Sequence, residues 1–282
     1  MQLVKQWYKP VLMIAFFFTA ASLLPSGPVD PWRLFSLKKA AYMVFALVFV
    51  EAFGTAMIQV LGNRKGSILT GFFGGLVSST ATTVALAKKS QGSAPEDVGK
   101  QTLTFLAATT AMLVEGAGLL VLGTSEFHLT VMLIFVGPTA VACLMIVLLV
   151  RRLPHRKTDA EASEIRILPI LKLSAFILTI LAVSKLLQDV FGQSGLVILT
   201  FLVSLFEIHG SVIANIQMHD AGTLSVKFLG GLLAISVTVS FISKLFLVST
   251  LASRGLRLQV IKYTAILALS LAVSWAVFQF AF

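Results

Sequence analysis

The chain has 282 residues, of which 57% are hydrophobic and only 12% charged, with a mean hydropathy of +0.94 and a net charge of +10. A soluble domain carries roughly a quarter charged residues and has no interior able to hide this much apolar surface, so composition excludes a soluble fold and makes lipid the solvent. The positive charge does not point to nucleic acid, because the cations sit in short clusters between apolar runs with no basic face or reader motif.

Apolar runs of about 17–25 residues are long enough to span a bilayer as helices. Nine fall in chain order at 8–24, 40–61, 66–88, 101–123, 129–150, 168–191, 194–217, 224–250 and 259–282. Gly and Pro mark most borders, among them Pro25, Pro28, Gly62, Gly66, Gly92, Pro154, Gly192 and Gly222. The runs are continuous and lack the in-out alternation of barrel strands, so an all-α integral membrane fold is expected. The run from Val11 to Leu24 leads into Pro25-Ser26-Gly27-Pro28 instead of a small-x-small cleavage site, and reads as a span, not a leader.

The longest polar stretch, Arg151 to Arg166, holds five Arg or Lys residues and is the best cytoplasmic anchor, as well as a candidate docking site for a cytoplasmic partner. Alternating from it puts Arg33, Lys38, Lys39, Lys88, Lys89 and Lys100 inside and the loop at 124–128 outside. Arg64, Lys65, Arg254 and Arg257, together with Lys5 and Lys9, then fall outside, against the positive-inside rule.

Gly66 to Lys88 (GSILTGFFGGLVSSTATTVALAK) and Gly195 to Gln217 (GLVILTFLVSLFEIHGSVIANIQ) lie 129 residues apart and share a layout. Each follows an apolar span ending in a Gly-bearing turn and precedes a polar linker. The division expected is an N-terminal helix and linker at 1–38, a four-helix unit at 39–150, a basic loop at 151–167 and a second four-helix unit at 168–282. An even number of spans per unit makes the copies parallel, with a site near the midplane where they meet.

Ionisable groups inside spans are the most informative residues, since each costs about 2.5–3.5 kcal/mol at a helix centre on insertion scales. Glu51, Glu115, Lys185, Glu207, His209 and Lys244 qualify. A rotation of about 100° per residue puts Glu207, Ser211 and Asn215 on one flank and turns His209 away. These groups either bind a ligand or pair with the helices beside them. Glu115 and Lys244 are 129 residues apart, which places them at matching points of the two units as an ion pair, coupling or structural. In Gly74-Gly75-Leu76-Val77-Ser78-Ser79-Thr80-Ala81-Thr82-Thr83, paired glycines allow close packing or a break. The hydroxyls of Ser78, Ser79, Thr80, Thr82 and Thr83 would then serve a polar solute or bond back to their own helix.

Soluble-enzyme motifs, cofactor loops and Cys/His clusters are missing, and the lone Cys143 excludes an intramolecular disulfide. No catalytic residue and no cofactor is expected.

The segment LLPSGPVDPWRLFSLKK and then LGNRKGSILTGFFGGLVSSTATTVALAKKS resembles the membrane domain of unknown function in the MgtC/SapB group, which follows an MgtC domain in longer members. The family tends to carry Asp-x-Asp at Glu207 and His209, and Asn at Ser240, whereas Lys244 matches. The resemblance implies a multi-pass protein of the bacterial cytoplasmic membrane.

Together these features lead to the expectation of a secondary transporter or permease. A small polar solute or ion would bind between the hydroxyl run and Glu207/His209. The alternatives are a non-transporting scaffold or regulator and an intramembrane lipid-processing enzyme. A homo-oligomer remains open.

Overall fold

A computed structural model describes residues 37–61, 66–126, 129–152 and 190–281, with scattered positions between 15 and 24 and at 179 and 183. Most of the expected spans at 8–24 and 168–191, and the basic loop at 151–167 beyond Arg152, lie outside the described residues. Every described element is helical. In chain order they are α1 (Leu37–Leu61), α2 (Ser67–Ser90), α3 (Val98–Gly123), α4 (Leu129–Val150), α5 (Val190–Ser204), α6 (Ile208–Asp220), α7 (Val226–Leu251) and α8 (Arg254–Phe280). A 3-10 turn, Pro95–Asp97, leads into α3.

Among the described residues, five helices are long and apolar enough, by length and composition, to cross a bilayer: Ser67–Ser90, Pro95–Gly123, Leu129–Val150, Val226–Leu251 and Arg254–Phe280. Leu122, Leu144, Phe246 and Leu269 face outward, as lipid requires. The third helix is the hub. Phe105, Leu106, Met112 and Leu113 are fully buried there, and the hydroxyls of Thr109 and Thr110 donate to the carbonyls of Phe105 and Leu106, four residues back.

Length and composition do not reveal that α2 turns back on itself. Ser78 leaves the helical region entirely, at φ −169° and ψ 108°. Residues eight apart on an unbroken helix stand about 12 Å apart along its axis. A Cβ built on Gly74 would instead lie 3.8 Å from the Cβ of Thr82. The arms 67–77 and 79–90 therefore run antiparallel, as a helical hairpin. Glycine lets its first arm press on α3: a Cβ on Gly71 would come within 2.3 Å of the Thr104 carbonyl, and one on Gly75 within 2.5 Å of the Ala108 Cα. Gly71 meets α3 near its start and Gly75 one turn further on, so this arm runs parallel to α3. The second arm returns to where the first began. There Ser90 Oγ accepts the Ser253 N–H at 2.9 Å, and Gln91 Nε2 donates to the Leu251 carbonyl at 2.9 Å.

The second half of the chain repeats the device. The backbone is extended at Glu207 (φ −149°, ψ 107°), between α5 and α6. Asn215 Nδ2 donates to Thr200 Oγ1 at 3.1 Å, although residues fifteen apart on an unbroken helix would stand about 22 Å apart. Leu196 and Met218 share one small apolar cluster. This hairpin opens at the opposite end of the protein, where Asp220 accepts from Lys39 Nζ and from the Ser125 N–H.

Two expected spans, 66–88 and 194–217, are therefore re-entrant hairpins. The alternation of loops drawn from nine full crossings fails with them. Lys39, assigned to one side, and Ser125, assigned to the other, meet at a single end, where both bond Asp220. Hydropathy counts apolar residues and carries no information about chain direction.

Disulfide formation tests both reversals. With Cys143 replaced by Ala, the pairs Gly74→Cys/Thr82→Cys and Thr200→Cys/Asn215→Cys should each cross-link within one chain on mild oxidation, since the first pair already has the Cβ separation a disulfide needs. Free thiols counted by mass spectrometry after oxidation would show straight helices instead.

Candidate functional site

The hairpin tips meet in the interior. A small recess between them is lined by Leu47 of α1, Leu76 to Thr80 of α2, Glu115 of α3, Glu207, and Ile208 and His209 of α6. It has room for roughly one water molecule or a bare ion.

Each break carries its own cap. Ser78 Oγ accepts the Ala81 N–H at 3.2 Å, satisfying one donor of the second arm's first turn. Glu207 is the N-cap of α6, and its Oε1 accepts the His209 N–H at 3.1 Å. The same oxygen lies 2.8 Å from His209 Nδ1. The other ring nitrogen, Nε2, is 3.3 Å from Glu115 Oε2. That pair is close without being aligned as a hydrogen bond, and neither atom has another hydrogen-bond partner among the described residues. A carboxylate–imidazole–carboxylate chain thus connects α3 to the second tip.

Lys244, on α7, is fully buried. Its ammonium donates to Ser240 Oγ at 2.7 Å and to Met112 Sδ at 3.0 Å. The direct Glu115–Lys244 pairing expected from their spacing does not form; His209 takes the place of Lys244 beside Glu115. Met112 stands one turn before Glu115 and links the two polar clusters.

Of the residues singled out by sequence, Ser78, Ser79, Thr80, Glu207 and His209 line the recess. Four others lie behind it. Thr82 packs on Gly74, and Thr83 Oγ1 donates to the Ser79 carbonyl at 2.7 Å, so both brace the first hairpin. Ser211 bonds Ser236 of α7 at 3.0 Å, and Asn215 ties α6 to α5 through Thr200. Glu115, expected as an in-span ionisable group and as half of a coupling or structural ion pair, reaches the recess itself. Leu47, Leu76, Val77 and Ile208 were not picked out, since nothing distinguishes an apolar lining residue from any other in an apolar chain. No group of three or more His, Cys, Asp or Glu side chains able to hold a metal ion occurs among the described residues.

At the protein's end, burial pushes the Asp220 carboxyl up, but hydrogen bonds from Lys39 and from Ser125 outweigh it and hold the group below its ordinary value of 3.8. This latch fastens the open end of the second hairpin to the start of α1 and the end of α3.

Crossing helices around a buried polar recess define a multi-pass α-helical membrane protein. The family model for a domain of unknown function, DUF4010, matches residues 45–252, and the chain belongs to that family. The match agrees with the unknown-function domain implied by resemblance and carries no evidence for MgtC or SapB. No curated protein and no solved structure matches the chain.

The latch sets a pH dependence. A carboxyl held below its ordinary value contributes stability that is present above pH 3.8 and lost as pH falls through the lower folded value. Asp220→Asn should therefore lower the unfolding midpoint at neutral pH, by an amount equivalent to about 1 kcal/mol. The wild type should converge on the variant as pH falls through and below the lowered folded value. Thermal melts of both proteins across pH 2–8 make the comparison.

Proposed function

We propose that this protein is a secondary transporter or permease of the bacterial cytoplasmic membrane, moving a small polar solute or ion through the recess between its two hairpin tips. One observation carries the reading. The helices break at Ser78 and Glu207, 129 residues apart and in nearly the same extended backbone conformation, and both breaks line one polar recess. Broken helices inserted from opposite ends, meeting at a midplane site, suit a carrier whose halves rock around a fixed ligand.

The repeat takes a new form in this reading. The first unit comprises three crossings and one hairpin, α1 to α4, and the described part of the second, α5/α6, α7 and α8, follows the same order from its hairpin onward. An odd number of crossings turns the second copy over, so the units are inverted, with their axis in the membrane plane. The opposite directions of α3 and α7 support this. The former runs toward Ser125 beside Asp220, and the latter runs toward Leu251 beside Gln91. The solute would contact Ser78 to Thr80 and the N–H groups freed at the first break. Glu207 and His209 would handle a proton or cation.

The end carrying Lys88, Lys89, Lys100, Arg151, Arg152, Arg254 and Arg257 faces the cytoplasm, and the end carrying Lys38, Lys39 and Lys227 faces outward. The bacterial membrane itself rests on resemblance to the MgtC/SapB group. The tightness of the recess favours the second reading, a non-transporting scaffold. In a carrier, it would be an occluded state.

Proteoliposome flux measurements with a panel of ions, amino acids and carboxylates separate the two readings. For a transported solute, Glu207→Gln and Ser79→Ala should each lower the rate at least about tenfold. Equal rates in both variants would discard this site, and no flux of any panel member would favour the scaffold. Topology is tested in whole cells. A membrane-impermeant maleimide should label Lys227→Cys from outside and leave Lys89→Cys unlabelled until the membrane is opened.

A further inference from the structure

We infer that Glu115 and His209 together form a one-proton binding site inside the recess, and that this proton is the coupling ion of the carrier. Only the second clause rests on the transport reading.

Glu207 Oε1 already accepts the backbone N–H of His209 at 3.1 Å, so it acts as an acceptor toward the ring as well, and Nδ1 at 2.8 Å is the donor. With Nδ1 carrying the hydrogen, a neutral imidazole presents a bare lone pair at Nε2. Facing it is Glu115 Oε2, 3.3 Å away. Two buried acceptors at that distance, with no other partner among the described residues, need only a small turn of the ring or the carboxyl to share one hydrogen. Either Nε2 takes the proton and His209 becomes an imidazolium, or Oε2 takes it and Glu115 becomes an acid. The two states differ only in where one proton sits, so the pair titrates as a unit.

The surrounding charges agree. Among the described residues, the second tip's own Glu207 and the α7 cation Lys244 are the other charged groups facing this pair, while the first hairpin contributes the hydroxyls of Ser78, Ser79 and Thr80, and α1 contributes Leu47. Two carboxylates and one ammonium leave the cluster at −1 when the imidazole is neutral. One added proton brings it to zero, the state that costs least inside hydrocarbon. Loading takes one proton from water on one side of the membrane, and release returns it to water on the other, with no bond to carbon made or broken. Glu207 serves the site through Oε1, which caps α6 and holds the ring, so the shared proton lies on the Glu115 side of His209.

Infrared difference spectra of the reconstituted protein, stepped from pH 4 to 10 at equilibrium and without any solute gradient, read the site directly. The wild type should show a titration with both carboxyl and imidazole bands. Glu115→Gln and His209→Asn should each abolish it, while Glu126→Gln on the exposed loop leaves it in place. Absence of a buried carboxyl–imidazole titration in the wild type would overturn the inference without recourse to any variant. So would a titration that survives both substitutions, or one displaced at constant pH by 100 mM sodium, which would make the site a metal-cation site. Because no flux is measured, these outcomes are independent of whether the protein transports.

Discussion

Hydrocarbon offers nothing to an unpaired peptide group, and the structure is organised around that constraint. A helix that breaks inside a bilayer exposes several N–H and C=O groups, so a break is tolerated only where protein surrounds it or water reaches it. Here both breaks lie inside the bundle and face each other. Their caps are local, Ser78 Oγ on Ala81 and Glu207 on His209. The enclosure comes from α3, against whose backbone Gly71 and Gly75 bring the first hairpin. Close packing, reversal and site are thus parts of one solution.

The helical class, the membrane environment and most helix limits were legible in composition and run length. The expected 101–123, 129–150 and 224–250 differ little from Val98–Gly123, Leu129–Val150 and Val226–Leu251. What could not be read was direction. A run such as GFFGGLVSSTATT has the same hydropathy whether it crosses or returns, and its glycines suit a packing face as well as a break. Five of the nine residues proposed to contact ligand do line the recess, because buried hydroxyls and charges are costly enough to be conspicuous. Thr82, Thr83, Ser211 and Asn215 belong to the same polar class but brace the hairpins. Polarity marks where lipid is excluded; it does not separate a ligand contact from a strut.

The 129-residue offset held more than the segment likeness from which it was drawn. Applied to Ser78 it gives Glu207, and at both the backbone turns extended between two helical arms. Applied to Glu115 it gives Lys244, but those two side chains do not touch. Applied to His209 it gives Thr80, which also lines the recess. The tips are therefore matched in position and different in chemistry, hydroxyl on one and carboxylate with imidazole on the other. That asymmetry suits a site where one half holds a solute and the other a charge.

The basic residues that broke the positive-inside rule were themselves a sign of the reversals. With every run counted as a crossing and 151–166 placed inside, Lys5, Lys9, Arg64, Lys65, Arg254 and Arg257 all fell outside. Turning 66–88 back on itself moves each loop before it to the other face, and turning 194–217 back does the same to the loops after it. Among the described residues, Arg254 and Arg257 then move to the side of Arg151 and Arg152. The exchange sends Lys38, Lys39 and Lys227 to the opposite side, where Lys39 is bound to Asp220. A charge pattern in persistent conflict with a span count is evidence about the count, because lysine and arginine placement follows the finished topology and not the number of apolar runs.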